Sequence, residues 1–279
     1  GKVEVSYRLV PRGVKNYFYN MDISNDEELK NVKEKIKSKV SFLTNSCDNK
    51  SNLNYASNID YEPIDWHIDF KSGYRWDKKT WYKRIKYGHT LGVDIKVPWE
   101  LSRFQYLIAL GQAYVITRDE KYSLEYIYQI TDWIENNPPW FGVNWVCTMD
   151  VAIRAANLVL SLSFFKNSKL ITDKLLFYFT KNIYIHGKHI INNLEYGPIT
   201  SNHYLSDISG LLFISELFSE FDMGRKWKKF AIKELKKEMA KQVYDDGVDF
   251  EASTCYHRLV LELFFYCTLF AIKNSPEFK

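Results

Sequence analysis

The segment Pro98–Trp140, PWELSRFQYLIALGQAYVITRDEKYSLEYIYQITDWIENNPPW, carries the clearest periodic pattern of the chain. Pro98 is a helix-start signal, and after it apolar residues recur at three- and four-residue spacing, at Leu107, Leu110, Ala113 and Tyr114. After a four-residue connection, a second helix is predicted over 121–137, ending before Pro138 and Pro139. Because the connection is short, we expect the two helices to pack as antiparallel neighbours.

The same pattern continues to the end of the chain. Further helices are predicted over 148–166, 172–194, 203–221, 223–243 and 254–273, each with an apolar stripe and a short link to the next. With no strand-rich stretch among them, the sequence predicts an all-α array of αα-hairpins. Such an array either stacks as an open solenoid or closes into a toroid, and the lack of a fixed-period repeat argues against a solenoid.

The part before Pro98 has a different character. Residues 26–40 predict a polar helix, and residues 41–97 predict irregular structure rich in Trp and Tyr. We therefore divide the chain into an N-terminal segment, 1–40, and one helical domain, 41–279. Within the first segment, Leu9–Gly13 matches a thrombin-type linker, which is one interpretation of the first dozen residues.

Composition excludes several classes of protein. Of 279 residues, 46% are hydrophobic and 26% charged, so the chain is too apolar to be intrinsically disordered. No apolar run approaches the ~18 residues of a membrane span, and residues 1–12 lack the apolar core of a signal peptide, which leaves the compartment unknown. Four widely spaced cysteines (Cys47, Cys147, Cys255 and Cys267) offer no metal-ligand spacing, so neither a metal nor another cofactor is predicted, and we interpret them as buried small hydrophobes.

The net charge of +4 is mild, but it is concentrated in one helix. Residues 221–241 hold 8 basic and 3 acidic side chains, a local net charge of 8 − 3 = +5. A solvated helix face is the favoured interpretation, and an electropositive rim that attracts polyanions is the alternative. Elsewhere acids and bases are mixed, which makes nucleic acid an improbable partner.

Two stretches concentrate reactive side chains next to predicted helix starts. Ile199–Tyr204, ITSNHY, precedes an apolar helix, where free backbone N–H groups and the helix dipole favour an anion. Capping by Ser201 or Asn202 is the simpler explanation of this stretch. Asp245–Arg258 contains an Asp-Gly turn, then Glu251, then Tyr256, His257 and Arg258. A tyrosine beside a cation is a candidate proton-transfer group, although most tyrosines are only packed.

The order of four motifs resembles the N-terminal helical domain of the heparinase II/III-like polysaccharide lyases. The motifs are Pro98–Arg103, with Trp99 and Arg103; Gly142–Arg154, with Asn144, Trp145 and Arg154; Ser201–Tyr204; and Asp246–Arg258. The resemblance runs from about residue 60 to the end. It implies an incomplete (α/α) toroid, a periplasmic or secreted location and, in full-length members, a C-terminal β-sandwich that this chain is expected to lack.

The resemblance also implies a reaction. These lyases remove the C5 proton of a uronate and break the bond to O4, which requires donors that neutralise the uronate carboxylate. Asn202, matching the family's neutralising Asn, and the neighbouring His203 would supply those donors, and Tyr256, matching the catalytic Tyr, would protonate O4. Glu251, His257, Arg258, Trp99, Arg103, Asn144, Trp145 and Arg154 would contact an acidic, uronate-containing polysaccharide or support residues that do. Arg258 would lower the pKa of the Tyr256 phenol. The family's β-sandwich His has no match here, so this chain alone is expected to be weak or inactive.

Two other functions remain open at this stage. A glycoside hydrolase on a similar toroid would need two carboxylates across the scissile bond, and Asp150, Asp246 and Glu251 are the candidates. A non-catalytic module for acidic glycans would use the tryptophans of 66–82 and 140–145 as stacking platforms.

Overall fold

A computed structural model describes residues 26–44 and 61–274, and nearly all of its regular structure is helical. The α-helices are α1 (Asp26–Thr44), α2 (Lys96–Leu101), α3 (Leu107–Thr117), α4 (Glu120–Asn136), α5 (Thr148–Phe164), α6 (Asp173–Asn192), α7 (Asn202–Leu217), α8 (Asp222–Gln242) and α9 (Thr254–Asn274). Short 3-10 turns occupy Tyr82–Arg84 and Val143–Trp145. Within the described ranges, β-pairing is limited to isolated bridges. The predicted all-α class is confirmed.

The chain separates into two compact units. The first comprises Ser161–Asn182 together with the described residues up to Val146, and the second comprises Cys147–Leu160 with the described residues from Ile183 onward. The boundary between the two units runs through α5 and α6. The predicted division into 1–40 and 41–279 stays a prediction.

In the first unit, α1 and the aromatic-rich segment are held by α4. The helix predicted over 26–40 extends to Thr44 and buries Ile36 and Val40. The prediction of irregular structure over 41–97 is confirmed for 61–95 apart from one short 3-10 turn, whereas residues 41–44 continue α1. The start of 61–95 is fixed by Asp132 of α4, whose carboxylate accepts hydrogen bonds from the Tyr61 hydroxyl (2.7 Å) and the Ile64 backbone N–H (2.8 Å). The linker-like string near the N-terminus lies outside the described residues.

The helix predicted to continue from Pro98 through Tyr114 is broken in two. The break is at Phe104, whose φ of 63° lies in the left-handed region that residues other than glycine rarely adopt. This conformation accompanies complete burial of the Phe104 ring, which packs edge-on against Trp66 and Trp133. Aromatic packing thus overrides the helical periodicity on which the prediction relied.

The second unit is built around α7, which is buried over most of its length and packs against α8 and α9. Its Gly210 allows α5 to approach closely, because a Cβ there would lie 2.8 Å from the Ala152 carbonyl oxygen. The buried core of the unit therefore fixes α7 rigidly, including its N-terminus.

The last helix, α9, exposes a row of large apolar side chains, at Leu261, Phe265, Tyr266 and Leu269. Contrary to the sequence analysis, Thr254–Lys273 is long and apolar enough to cross a membrane. Length and composition alone do not assign it to one, because core helices of water-soluble proteins share both properties. The same helix corrects a second prediction, since Cys255 is exposed, whereas Cys147 and Cys267 are buried as expected.

Candidate active site

The N-terminus of α7 is capped by a glutamate distant in sequence. Ser201 occupies the N-cap position in an extended conformation, but its side chain makes no capping hydrogen bond. Instead the Asn202 backbone N–H donates to Oε1 of Glu251, at 2.9 Å. The carboxylate satisfies one of the orphan donors of the first turn and lies at the positive end of the helix dipole.

The same glutamate holds the Asn202 side chain. Nδ2 of Asn202 lies 2.8 Å from Oε1 and 2.9 Å from Oε2 of Glu251, and the residue is only 3% exposed. An amide nitrogen has two hydrogens, and a single N–H aimed between the carboxylate oxygens accounts for both distances. Glu251 therefore orients the amide. The buried Oδ1 has no partner among the described residues.

A second glutamate fixes His203. Nδ1 of His203 lies 2.9 Å from Oε2 of Glu195, and because a carboxylate only accepts, Nδ1 carries the hydrogen. Glu195 is itself held by the Met149 N–H at the start of α5 (3.1 Å), while its own N–H donates to Asp207 (2.7 Å). The His203 side chain is 48% exposed, so Nε2, on the opposite edge of the ring, is the nitrogen that can meet a ligand.

The Glu195–His203 pair shifts the pKa of both side chains. The hydrogen bond to Glu195 raises the pKa of His203 above its ordinary value, with burial opposing it and further support from nearby Asp150 and Glu251. Burial pushes the pKa of Glu195 upward, but its hydrogen bonds from His203 and Met149 outweigh burial and leave that pKa below its ordinary value. The pair therefore favours the charged form of the imidazole next to Asn202.

Tyr256 lies in the first turn of α9, five residues after Glu251. Its ring is 43% exposed, whereas the neighbouring His257 accepts a hydrogen bond at Nδ1 from the Asp249 N–H (3.3 Å) and so closes the preceding loop. Because Glu251 binds Asn202, this loop is tied to the N-terminus of α7. Arg258 instead forms an exposed ion pair with Glu262, one turn along its own helix, and this pairing does not support its predicted role beside the phenol.

The loop before α7 is anchored by side chains of α8. The Thr200 hydroxyl donates to Glu238 (2.6 Å), and the Gln242 amide donates to the same carboxylate (2.7 Å). Two turns of α8 earlier than Gln242, Glu234 accepts from the Tyr204 hydroxyl (3.2 Å). These bonds fix the residues on both sides of Asn202 and His203.

The remaining predicted residues are mostly buried supports. Arg154 is fully buried in α5, donates from Nε to Nε2 of His186 (3.0 Å), and burial lowers its pKa to about 9. In the first unit, the Asn144 amide donates to the Trp66 carbonyl (2.8 Å) and the buried Trp145 ring packs against Trp133.

The other two predicted residues of that unit lie in or next to α2. The Trp99 indole donates to the Val143 carbonyl (2.8 Å), and Arg103 pairs with Glu100 (2.7 Å). Trp99, Asn144, Trp145 and Arg154 are buried, as Asn202 is, and the expectation that they contact the glycan or support residues that do stays a prediction.

The carboxylates expected of a hydrolase are differently engaged. Asp150 is buried in the first turn of α5, Glu251 is occupied by Asn202, and Asp246 lies on an exposed turn. This arrangement does not favour a pair of carboxylates flanking a sugar bond.

Sequence reasoning missed Glu195. It lies in the loop NNLEYGP between α6 and α7, where no periodicity or motif distinguishes it from a solvated acid. Its importance follows only from the fold, which brings it to the α5 N-terminus, to His203 and to the buried thiol of Cys147, whose Sγ lies 3.7 Å from Oε1. Among the described residues, Cys147, Glu195 and His203 form a group whose side chains could together bind a metal ion.

Two similar proteins are heparin-sulfate lyases. One, from Pedobacter heparinus, is 32% identical over 177 residues, covering 61% of this chain and 26% of that protein. The other, from Bacteroides stercoris, is 27% identical over 191 residues, covering 61% of this chain and 28% of that protein. The matches thus cover little more than a quarter of these relatives' length.

Solved structures extend the likeness to nearly the whole chain. A crystal structure of a heparan sulfate lyase from Pedobacter heparinus has a TM-score of 0.57 at 24% identity, covering 96% of this chain and 43% of that one. A crystal structure of a heparinase III has a TM-score of 0.58 at 22% identity, covering 93% and 43%. At this identity the likeness shows the fold, and it confirms the predicted class, an (α/α) toroid of αα-hairpins.

The family model named Heparinase II/III N-terminus matches residues 11–276, which is nearly the whole sequence. With the order of motifs and the shared fold, this match decides the classification. The chain belongs to the heparinase II/III family.

Proposed function

We propose that this chain is the N-terminal part of a polysaccharide lyase that cleaves uronate-containing glycans of the heparan sulfate class by β-elimination. Family membership and the two relatives named heparin-sulfate lyases support the reaction class and the substrate class. The observation that carries the proposal for this chain is the fixation of Asn202 and His203, each by its own glutamate, at one helix N-terminus.

The chemistry explains why such an arrangement is useful. The C5 proton of a uronate becomes acidic only when the charge of the adjacent carboxylate is neutralised, so the site needs donors aimed before the reaction begins. The second N–H of Asn202 and Nε2–H of His203 are donors of this kind, and the helix dipole adds to their field. Because Glu251 and Glu195 hold them, little reorganisation is needed when the substrate binds.

In the proposed elimination a base takes the C5 proton, the C5–H electrons form the C4–C5 double bond, and the C4–O4 bond breaks. The family resemblance implies that this base is the His of the C-terminal β-sandwich, and Tyr256 is proposed as the acid that protonates the leaving O4. Its ring is exposed and lies at the start of the helix that follows the Glu251 loop, so a substrate held by Asn202 has a hydroxyl-bearing residue on the adjoining segment. Loss of a general acid typically lowers turnover by ~10²–10⁴-fold.

The test follows unsaturated product by ultraviolet absorbance. The 279-residue chain, and a longer natural form if one exists, are incubated with heparan sulfate and with a neutral glucan. We expect absorbance to rise with heparan sulfate only, weakly with the short chain, and we expect Tyr256→Phe to abolish most of the rise. Tyr266→Phe is the matched control, since Tyr266 is an exposed tyrosine of the same helix and should retain full activity.

Two results would overturn the proposal. New reducing ends without absorbance would indicate hydrolysis. Tight binding of heparan sulfate by a longer form, with neither product and with affinity indifferent to Asn202→Ala, would indicate a non-catalytic glycan-binding module.

A further inference from the structure

Three ligand-type side chains of the second unit meet around Glu195. Sγ of Cys147 lies 3.7 Å from Oε1 and 4.0 Å from Oε2 of Glu195, and Nδ1 of His203 lies 2.9 Å from the same Oε2. The sulfur, nitrogen and oxygen atoms all lie within 4.8 Å of one another. Cys147 is buried, Glu195 partly buried and His203 exposed, so the cluster extends from the interior to the surface.

The donor set is that of a soft or borderline cation. Thiolate, imidazole and carboxylate are the three side-chain ligands of Zn²⁺, at bond lengths of about 2.0–2.3 Å in a tetrahedron. In such a tetrahedron the ligand atoms are roughly 3.2–3.8 Å apart. The observed separations bracket this range, so small side-chain rotations suffice, and three protein ligands leave one position open to solvent.

The backbone around the cluster is already fixed. Cys147 directly precedes α5, and Glu195 is held by the Met149 N–H and, through its own N–H, by Asp207. Supporting hydrogen bonds of this kind preset the orientation of metal ligands. The ligands therefore need little ordering on binding.

We propose that Cys147, Glu195 and His203 bind a single thiophilic divalent cation of the zinc class. The cation site shares His203 and Glu195 with the proposed lyase site, but its argument does not rest on the lyase function.

Binding exchanges protons for the metal. Metal–sulfur, metal–nitrogen and metal–oxygen bonds form, the Cys147 thiol releases its proton to solvent, and Nδ1 of His203 gives up the proton now facing Glu195. If the imidazole is charged before binding, the Nδ1 proton is released to solvent and Nε2 keeps its hydrogen. If the imidazole is neutral, its single proton moves from Nδ1 to Nε2.

A simpler role for the cluster is the orientation of His203 by Glu195 alone. The two explanations differ at Cys147, because the Glu195–His203 hydrogen bond does not require the thiol. Cys147 therefore gives the decisive variant.

Co²⁺ is the probe, because a cysteine ligand gives it a thiolate-to-cobalt absorption in the near ultraviolet. We expect titration of the purified chain, with its thiols reduced, to produce this band at a single equivalent and Zn²⁺ to displace it. Cys147→Ser should abolish the band. Cys255→Ser, which removes an exposed thiol of α9, should leave it unchanged.

His203→Gln is the second variant and avoids any folding defect from the buried position, since it removes a ligand at the surface. It should weaken Co²⁺ binding by at least ~10–100-fold. A band that persists in Cys147→Ser, disappears in Cys255→Ser, or never forms would overturn the proposal. Equal Co²⁺ affinity of His203→Gln and the parent chain would do the same.

Discussion

At the scale of single residues, the Glu195–His203 pair makes stability depend on pH in a defined direction. The pair raises the folded-state pKa of His203 above the ordinary value of ~6.5, so its contribution is complete below that value and is lost as pH rises through the folded-state pKa. We expect the excess stability of the parent chain over His203→Gln to fall across this window, measured by urea unfolding at a series of pH values.

The partner residue provides the control for this prediction. Glu195→Gln removes the same ion pair from the other side, so adding His203→Gln to it should produce little further pH dependence. A difference between the parent and His203→Gln that stays constant across the window would contradict the assignment. At low pH the contribution should also disappear as Glu195, whose pKa is lowered, becomes protonated.

The sequence located part of the candidate site at this scale and missed the rest for physical reasons. Asn202 and His203 were noted because they stand beside a helix start, and the family resemblance then gave them their predicted roles. Glu251 was placed near them only through the family resemblance, and Glu195 not at all, because a loop acid is recognised only by the partners that the fold brings to it. Tyr256 was identified by motif, and its role as the acid for O4 stays a prediction.

At the scale of elements, sequence periodicity located the helices but not every interruption. Helix α7 was predicted at 203–221 and occupies Asn202–Leu217, a close match, since its apolar pattern is continuous. The break before α3 was missed because its left-handed residue is Phe104 rather than a glycine, and no local signal marks such a position. Tertiary burial of the ring accompanies the break, and burial is not visible in the sequence.

We expect the packing of the irregular segment before α2 to depend on the carboxylate of Asp132. Asp132→Ala leaves the Tyr61 hydroxyl and the Ile64 N–H without their acceptor, and should cost about 2–4 kcal/mol of unfolding free energy. Glu100→Ala, which breaks an ion pair of the same unit with an exposed carboxylate, should cost ~1 kcal/mol or less. Urea unfolding measures both, and equal costs would contradict the anchoring role of Asp132.

Helix α9 allows a matched test of its two faces with adjacent phenylalanines. Phe264 is 6% exposed and Phe265 is 54% exposed. Phe264→Ala should therefore cost about 3–5 kcal/mol, whereas Phe265→Ala should change stability by ~0.5 kcal/mol or less. Thermal and urea unfolding of the two variants check the orientation of the helix, and the reverse order would show that its faces are exchanged.

At the scale of the whole molecule, the chain has a net charge of +4, and the proposed substrate is a polyanion. Screening by salt weakens attraction between exposed charges, with a Debye length of ~8 Å at physiological ionic strength. We therefore expect heparan sulfate to bind the chain tightly at low salt and much more weakly at ~1 M NaCl, measured by calorimetry or affinity chromatography.

The same binding measurement separates the candidate site from the basic helix α8. If His203 supplies a charged hydrogen bond to the glycan, His203→Gln should weaken binding roughly tenfold or more near neutral pH, with a smaller loss once pH exceeds the pKa of His203. Exposed lysines of α8, such as Lys226 and Lys233, contribute only through the long-range field, so replacing both by Gln should reduce affinity less and in a salt-dependent way.

Loss of binding on replacing the lysines, with His203→Gln unaffected, would instead place the glycan on the α8 surface. Binding that ignores salt, or that is equally strong for a neutral glucan, would show that charge recognition is not the basis of the interaction.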